Sequence, residues 1–171
     1  MACCIFVLLC SAAIGVRIYK DGKYYSHVKS TYDTIQLGAE SAESIGELKR
    51  QVWYDAIYGN NNEETSKYTS GASDFNEALS NLYKDESFVD KCNVLRANQK
   101  IVLLFMKDKK NPPEKYDDLY DDLKECFDNY CKLADLVLDS SGLSYNTYSE
   151  SFRNACSEYS DSARDLEINL D

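Results

Sequence analysis

The stretch Asn111 to Gly142, NPPEKYDDLYDDLKECFDNYCKLADLVLDSSG, decides the fold. Asn111 precedes a proline, which pushes its backbone out of the helical region and suits an N-cap. Pro112 then falls at the first helical position, where a missing N–H costs nothing. Glu114 lies three residues after the cap, the spacing of a capping box, and its charge favours the positive end of the helix dipole. Apolar residues follow at Tyr116, Leu119, Tyr120, Leu123, Phe127, Tyr130, Leu133, Ala134, Val137 and Leu138. Spacings of three and four put them on one stripe, which predicts an amphipathic helix of about 40 Å. Gly142 supplies the left-handed residue that ends it.

Both flanks of this helix leave little room for a loop. Before it, a helix is expected from Asp74 to Lys110, capped by Ser73 or Asp74 and kinked or restarted at Asp85-Glu86-Ser87. Its stripe is Phe75, Ala78, Leu79, Leu82, Tyr83, then Phe88, Cys92, Leu95, Val102 and Phe105. Lys107, Lys109 and Lys110 suit its C-terminal dipole. After Gly142, Thr147-Tyr148-Ser149-Glu150 has capping-box spacing, and Tyr145, Tyr148, Phe152, Ala155, Tyr159, Ala163, Leu166 and Leu170 carry a last stripe. Connections this short make neighbouring helices antiparallel.

Earlier in the chain, Tyr24 to Tyr58 reads as a long helix. Val28, Tyr32, Ile35, Ala39 and Ala42 follow a three-four repeat that slips at Ile45, Leu48, Val52 and Ala56, and Trp53 and Ile57 broaden the face near its end. Gly59 to Gly71 reads as a polar surface loop. The fold class is therefore all-α: an N-terminal anchor followed by an up-and-down bundle of about four long helices over residues 21–171.

Residues 1–20 carry the anchor. Ala2 to Val16 is apolar apart from Ser11 and Gly15, close to the length of a secretory apolar region and just short of a membrane span. Arg17 can snorkel and let Ile18 and Tyr19 extend the run. Three alternatives stand: an uncleaved anchor, a signal segment cut after Ala13, or a buried core helix, which the N-terminal position and the basic flank of Arg17, Lys20 and Lys23 disfavour. Arg17, Lys20 and Lys23 follow the run and no basic residue precedes it, so the positive-inside rule favours a cytoplasmic bundle; a basic start upstream of Met1 would reverse this.

Composition narrows the function. The 171 residues carry a net charge of −10, two prolines and seven glycines, too few turn residues for an all-β fold. From Pro112 onward fifteen acidic residues face five basic ones, whereas the preceding part is neutral with fourteen of each. An acidic domain repels phosphate backbones, so nucleic acid is not expected as a partner. Cys92, Cys126, Cys131 and Cys156 are scattered without zinc or redox spacing and read as buried thiols, open to disulfides only outside the cytoplasm. His27 is the single histidine and has no partner at catalytic or metal-binding spacing. The run Asp117, Asp118, Asp121, Asp122, Glu125 has helical spacing rather than the alternating oxygens and glycine of a calcium loop. Phosphate loops, dinucleotide fingerprints and nucleophile elbows are missing, so no catalytic residue, metal or cofactor is expected.

The segments Val52 to Tyr58 (VWYDAIY), Asn111 to Glu114 with the tyrosine-rich helix behind it, and Ser140 to Tyr145 (SSGLSY) resemble a group of small membrane-anchored helical proteins of Gram-positive bacteria. The resemblance implies a single-pass membrane protein with an extracytoplasmic bundle, and it carries over no activity or site residue. The chain departs from that group in lacking its basic start.

The leading expectation is a non-enzymatic module, tethered to the membrane by its N-terminal segment, that binds another protein at the cell surface. The second is a small-molecule or cation-sensing bundle with a pocket among Tyr116, Tyr120, Tyr130 and Tyr148. The third is an enzyme using Cys126 or Cys131 as nucleophile. The fourteen tyrosines suit either core-boundary packing or a contact surface.

Overall fold

In the computed structural model the chain is helical, with no strand among the described residues. Those are residues 2–60, 62–108 and 111–170, with side chains described from residue 22 onward. The anchor expected over residues 1–20 lies outside the residues whose side chains are described. Among the described residues no helix is long and apolar enough to cross a membrane.

The elements are α1 (Ala2–Tyr58), α2 (Ser66–Thr69), α3 (Phe75–Lys84), α4 (Glu86–Asp108), α5 (Asp117–Leu138) and α6 (Tyr145–Leu170), with a 3-10 turn at Glu114–Tyr116. Cross-contacts fix their directions. His27 meets the Phe105 ring edge-on, and Asn98 Nδ2 donates to the Thr34 carbonyl at 3.0 Å, so α4 runs antiparallel to α1. Tyr24 stacks on Tyr116, and Lys49 reaches the Val137 carbonyl, so α5 runs parallel to α1. The Tyr25 hydroxyl donates to the Leu170 carbonyl and Tyr148 Oη to the Gly46 carbonyl, so α6 is antiparallel to α1. The section is a flattened rhombus: α1 and α5 touch across the short diagonal, and α4 and α6 occupy opposite corners without meeting.

Small residues make that diagonal contact. Gly38, Ala42 and Gly46 lie four apart on α1 and are all buried. A Cβ added at Gly38 would stand 2.4 Å from both Asn98 Oδ1 and Tyr130 Oη. One added at Gly46 would stand 2.3 Å from Phe152 Cε2 and 2.8 Å from Val137 Cγ1. Glycine normally weakens a helix interior, but here the missing side chain lets α5 and α6 close on α1.

Several boundaries differ from the sequence expectation, each for a local reason. The Asn111 helix begins at Asp117, after the 3-10 turn. Pro112 is followed by Pro113, so Pro112 is itself a pre-proline residue and is driven out of the helical region. Gly142, with φ +78°, serves a turn in which the Leu143 N–H donates to the Ser140 carbonyl at 3.3 Å; α5 has already ended at Leu138. The last helix starts at Tyr145 and is capped by Ser144, whose Oγ accepts from the Thr147 N–H at 3.2 Å, in place of a Thr147–Glu150 box. The stretch from Asp74 onward restarts at Asp85, one of the two outcomes expected there, and so forms two helices. Asp74 caps α3 by accepting from the Glu77 N–H, and Asp85 caps α4 by accepting from the Phe88 N–H at 3.0 Å.

The stripe on α1 does not slip. It continues at heptad spacing through Gly46, Lys49 and Trp53 to half-buried Ala56; Ile45 and Val52 of the expected repeat are buried beside it, and Leu48 is half-buried. A lysine at a core position disguises the repeat. The segment read as a free loop is packed as well. Thr65 is fully buried and its Oγ1 donates to Asp55 Oδ2 at 2.5 Å, while Tyr68 of α2 joins the core.

Candidate functional site

The C-terminal end of α1, the start of α3 and the α5–α6 turn meet in a network of aromatic rings. Trp53 stacks on Phe75 at 6.0 Å and packs against Tyr145 and Tyr148 at 6.2 and 5.9 Å. Tyr54 lies 4.6 Å from Tyr58 and 5.9 Å from Tyr145. Tyr148 stacks on Phe152 with planes 3° apart. The inner rings are buried, but Tyr54, Ile57, Phe75 and Tyr83 are exposed and Tyr58 is 59% exposed. Helical spacing explains the division: Trp53 points to the core, whereas Tyr54, Ile57 and Tyr58 turn toward solvent.

Two adjoining clefts open here. One, of about 410 Å³, has Leu79, Tyr83 and Leu138 on its walls and Asn76, Asp139 and Ser141 on its rim. The other, of about 310 Å³, is formed by Ile57, Tyr58, Tyr145 and Asn146. Trp53, Phe75 and Leu143 belong to both. Trp53 is 5% exposed, and its indole N–H is buried without an acceptor. An unpaired buried donor is costly. The first cleft falls within the ordinary size range of ligand sites.

Beneath this end lies Lys49, only 1% exposed. Its Nζ donates to the Val137 carbonyl at 2.6 Å and to Ser140 Oγ at 3.2 Å, and it sits 5.4 Å from the Tyr83 ring centroid and 5.6 Å from that of Tyr148. The ammonium thus closes the C-terminus of α5, where backbone carbonyls favour a cation. Burial pulls its pKa down to about 8, opposed by nearby Cys92 and Asp139. Asp139 is exposed at the rim, accepts from the Ser141 N–H at 3.0 Å, and is held below the usual carboxylate range mainly by Ser141. The sequence signal for Lys49 was the three-four spacing from Ala42, Gly46 and Trp53.

The four tyrosines expected to share a pocket are spread along the bundle. Tyr116 and Tyr120 lie at the start of α5, with Tyr116 stacked on Tyr24 at 5.3 Å. Tyr130 is fully buried halfway along and donates to Asn98 Oδ1 at 2.7 Å. Tyr148 is fully buried at the far end against Gly46 and Trp53. Tyr116 and the Val137 level near Tyr148 are about 30 Å apart along α5 at 1.5 Å per residue. No single pocket joins them.

The remaining chemistry-bearing residues are packed apart. Cys92, Cys126, Cys131 and Cys156 are free thiols. Burial pushes Cys126 and Cys131 up to about 12 and Cys156 up to about 11. Such thiols are poor nucleophiles at neutral pH. Among the described residues no cluster of three or more His, Cys, Asp or Glu side chains is arranged to hold a metal ion. No protein-family model, no curated protein and no solved structure matches the chain.

Proposed function

We propose that this chain is a non-enzymatic helical module, tethered to the membrane through its N-terminal segment and extracytoplasmic, that binds another protein with its aromatic end. The observation that carries the reading is that the exposed aromatic rings of the described residues, Tyr54, Tyr58, Phe75 and Tyr83, lie together at one end with Ile57, whereas the exposed apolar groups elsewhere, such as Leu37, Val94 and Leu104, are aliphatic. Exposed apolar groups gathered in one place mark interaction sites, and tyrosine is enriched in them because it offers rigid apolar area with a wet hydroxyl. A tether within residues 1–20 would hold this end about 50 Å away along α1, clear of the membrane surface.

The test is photo-crosslinking of the full-length protein in cells, with a benzophenone amino acid at Tyr58 and, as control, at Asp33 on the exposed side of α1. An adduct with one defined protein at position 58 and not at position 33 supports the reading. Equal or absent adducts at both positions refute it. Protease applied to intact cells, with a C-terminal tag followed, decides the side of the membrane: loss of the tag from the membrane fraction is expected.

A further inference from the structure

The two clefts at the aromatic end are joined, and what joins them is the wall that Trp53, Phe75 and Leu143 give to both. Trp53 is part of that shared wall, and its indole N–H is buried beneath the surface without an acceptor. An occupant matched to the pair needs two apolar groups with a hydrogen-bond acceptor between them. An extended peptide has this pattern: side chains two residues apart point the same way about 6.6 Å apart, with main-chain carbonyls between them. Ile57, Leu79, Leu138 and Leu143 give the walls aliphatic surface that suits apolar side chains, with Asn76, Asp139 and Ser141 at the rim.

Charge sets the direction. Asp139 on the rim of the larger cleft is exposed, and Ser141, which donates its N–H at 3.0 Å, is neutral; among the described residues no cation forms an ion pair with Asp139. The Lys49 ammonium is engaged below by Val137 and Ser140.

We propose that the paired clefts bind an extended segment of a partner protein, with one apolar side chain in each cleft, a main-chain carbonyl on the Trp53 indole N–H, and a basic residue beside Asp139. In this proposal Phe75, which stacks on Trp53 at 6.0 Å and is 36% exposed at the first residue of α3, is the ring that shifts to open the buried indole N–H. This rests on the protein-binding reading above and names the chemistry of the partner.

Trp53 is the single tryptophan, so the full-length protein labelled with nitrogen-15 gives one indole resonance. The probe is the blocked tetrapeptide N-acetyl-Leu-Gly-Phe-Lys-amide. Saturable downfield movement of the indole proton is expected, with a dissociation constant below about 1 mM. Trp53→Phe keeps a ring in place and removes the donor, so it should weaken binding of a fluorescent copy of the peptide about fivefold, the share of one hydrogen bond. Asp139→Asn should abolish the preference for lysine over norleucine at the last position. An indole resonance that stays still up to about 10 mM peptide overturns the proposal. So does movement with methyl glucoside but not with peptide, or a Trp53→Phe variant that binds as tightly as the parent. A specific crosslink at position 58 together with a silent peptide titration removes only the peptide proposal; the loss of both removes the protein-binding reading as well.

Discussion

Replacing Gly38 by alanine sets two effects of opposite sign against each other. By helix propensity alone, alanine stabilises an interior helical position by about 1 kcal/mol. In the fold, the new methyl group would stand 2.4 Å from Asn98 Oδ1 and Tyr130 Oη and 2.7 Å from Tyr130 Cζ. Those atoms are the two ends of a 2.7 Å hydrogen bond, and Asn98 is held further by its bond to the Thr34 carbonyl. Tyr130 is fully buried and cannot swing into solvent. Making room means separating α1 from α5 or breaking the Tyr130–Asn98 bond. Overpacking costs about 1–3 kcal/mol, and a buried polar group left unpaired costs about 1–3 kcal/mol more. The clash wins, with a net loss of about 2 kcal/mol. For a chain of this size that lowers the Tm by roughly 4–8 °C. The assay is thermal unfolding of the full-length protein followed by helical circular dichroism. Gly22→Ala is the control, because nothing beyond its own stretch of helix backbone lies within 4 Å of its added Cβ; it should be neutral or stabilising by up to about 1 kcal/mol. A Gly38→Ala protein as stable as the parent would refute the close α1–α5 contact and the rhombic section built on it.

Lys49 gives a pH signature. Its folded pKa lies near 8, below the ordinary 10.5, so between those values the unfolded chain binds more protons and stability rises with pH. The buried thiols oppose this above pH 9, because their folded pKa values are raised and the unfolded chain loses those protons first. The Lys49 part is isolated as parent minus Lys49→Met, and that difference should shift in favour of the parent by up to about 3 kcal/mol between pH 8 and 10.5; a flat difference in urea titrations would show that the amine is solvated. Thr65→Val removes the hydroxyl that donates to buried Asp55 at 2.5 Å, and denaturation should show a loss of about 2 kcal/mol, with protease cutting faster within residues 62–72. Buried Cys126 and half-buried Cys131 should resist iodoacetamide at pH 8 in the folded protein and react once it is unfolded in urea; rapid labelling of the native state would contradict their raised pKa values and the burial of Cys126.

The sequence by itself determined that the chain is helical and where most helices lie. Stripes at three-four spacing survive any packing, because a helix must bury its apolar face. The stripe from Leu119 to Val137 is in the core as the spacing implies, and Asp74 and Asp85 mark real breaks because their carboxylates serve their own backbone. Local rules misled where a second neighbour intervened, as Pro113 did for Pro112. Tertiary structure alone decided the rest. Gly38 and Gly46 read as weak points in a helix, yet they mark where α4, α5 and α6 close on α1, because only the facing atoms of Asn98, Tyr130 and Phe152 show what a side chain would strike. Lys49 reads as a surface charge until the open carbonyl end of α5 is placed over it. The tyrosines could be counted but not assembled. Tyr116 and Tyr148 share no wall, whereas Trp53 and Phe75 on one side and Leu143 and Tyr145 on the other, about 70 to 90 residues apart in the chain, line one cleft. Spacing fixes which residues share a face of one helix; only the packing of helices fixes which faces meet.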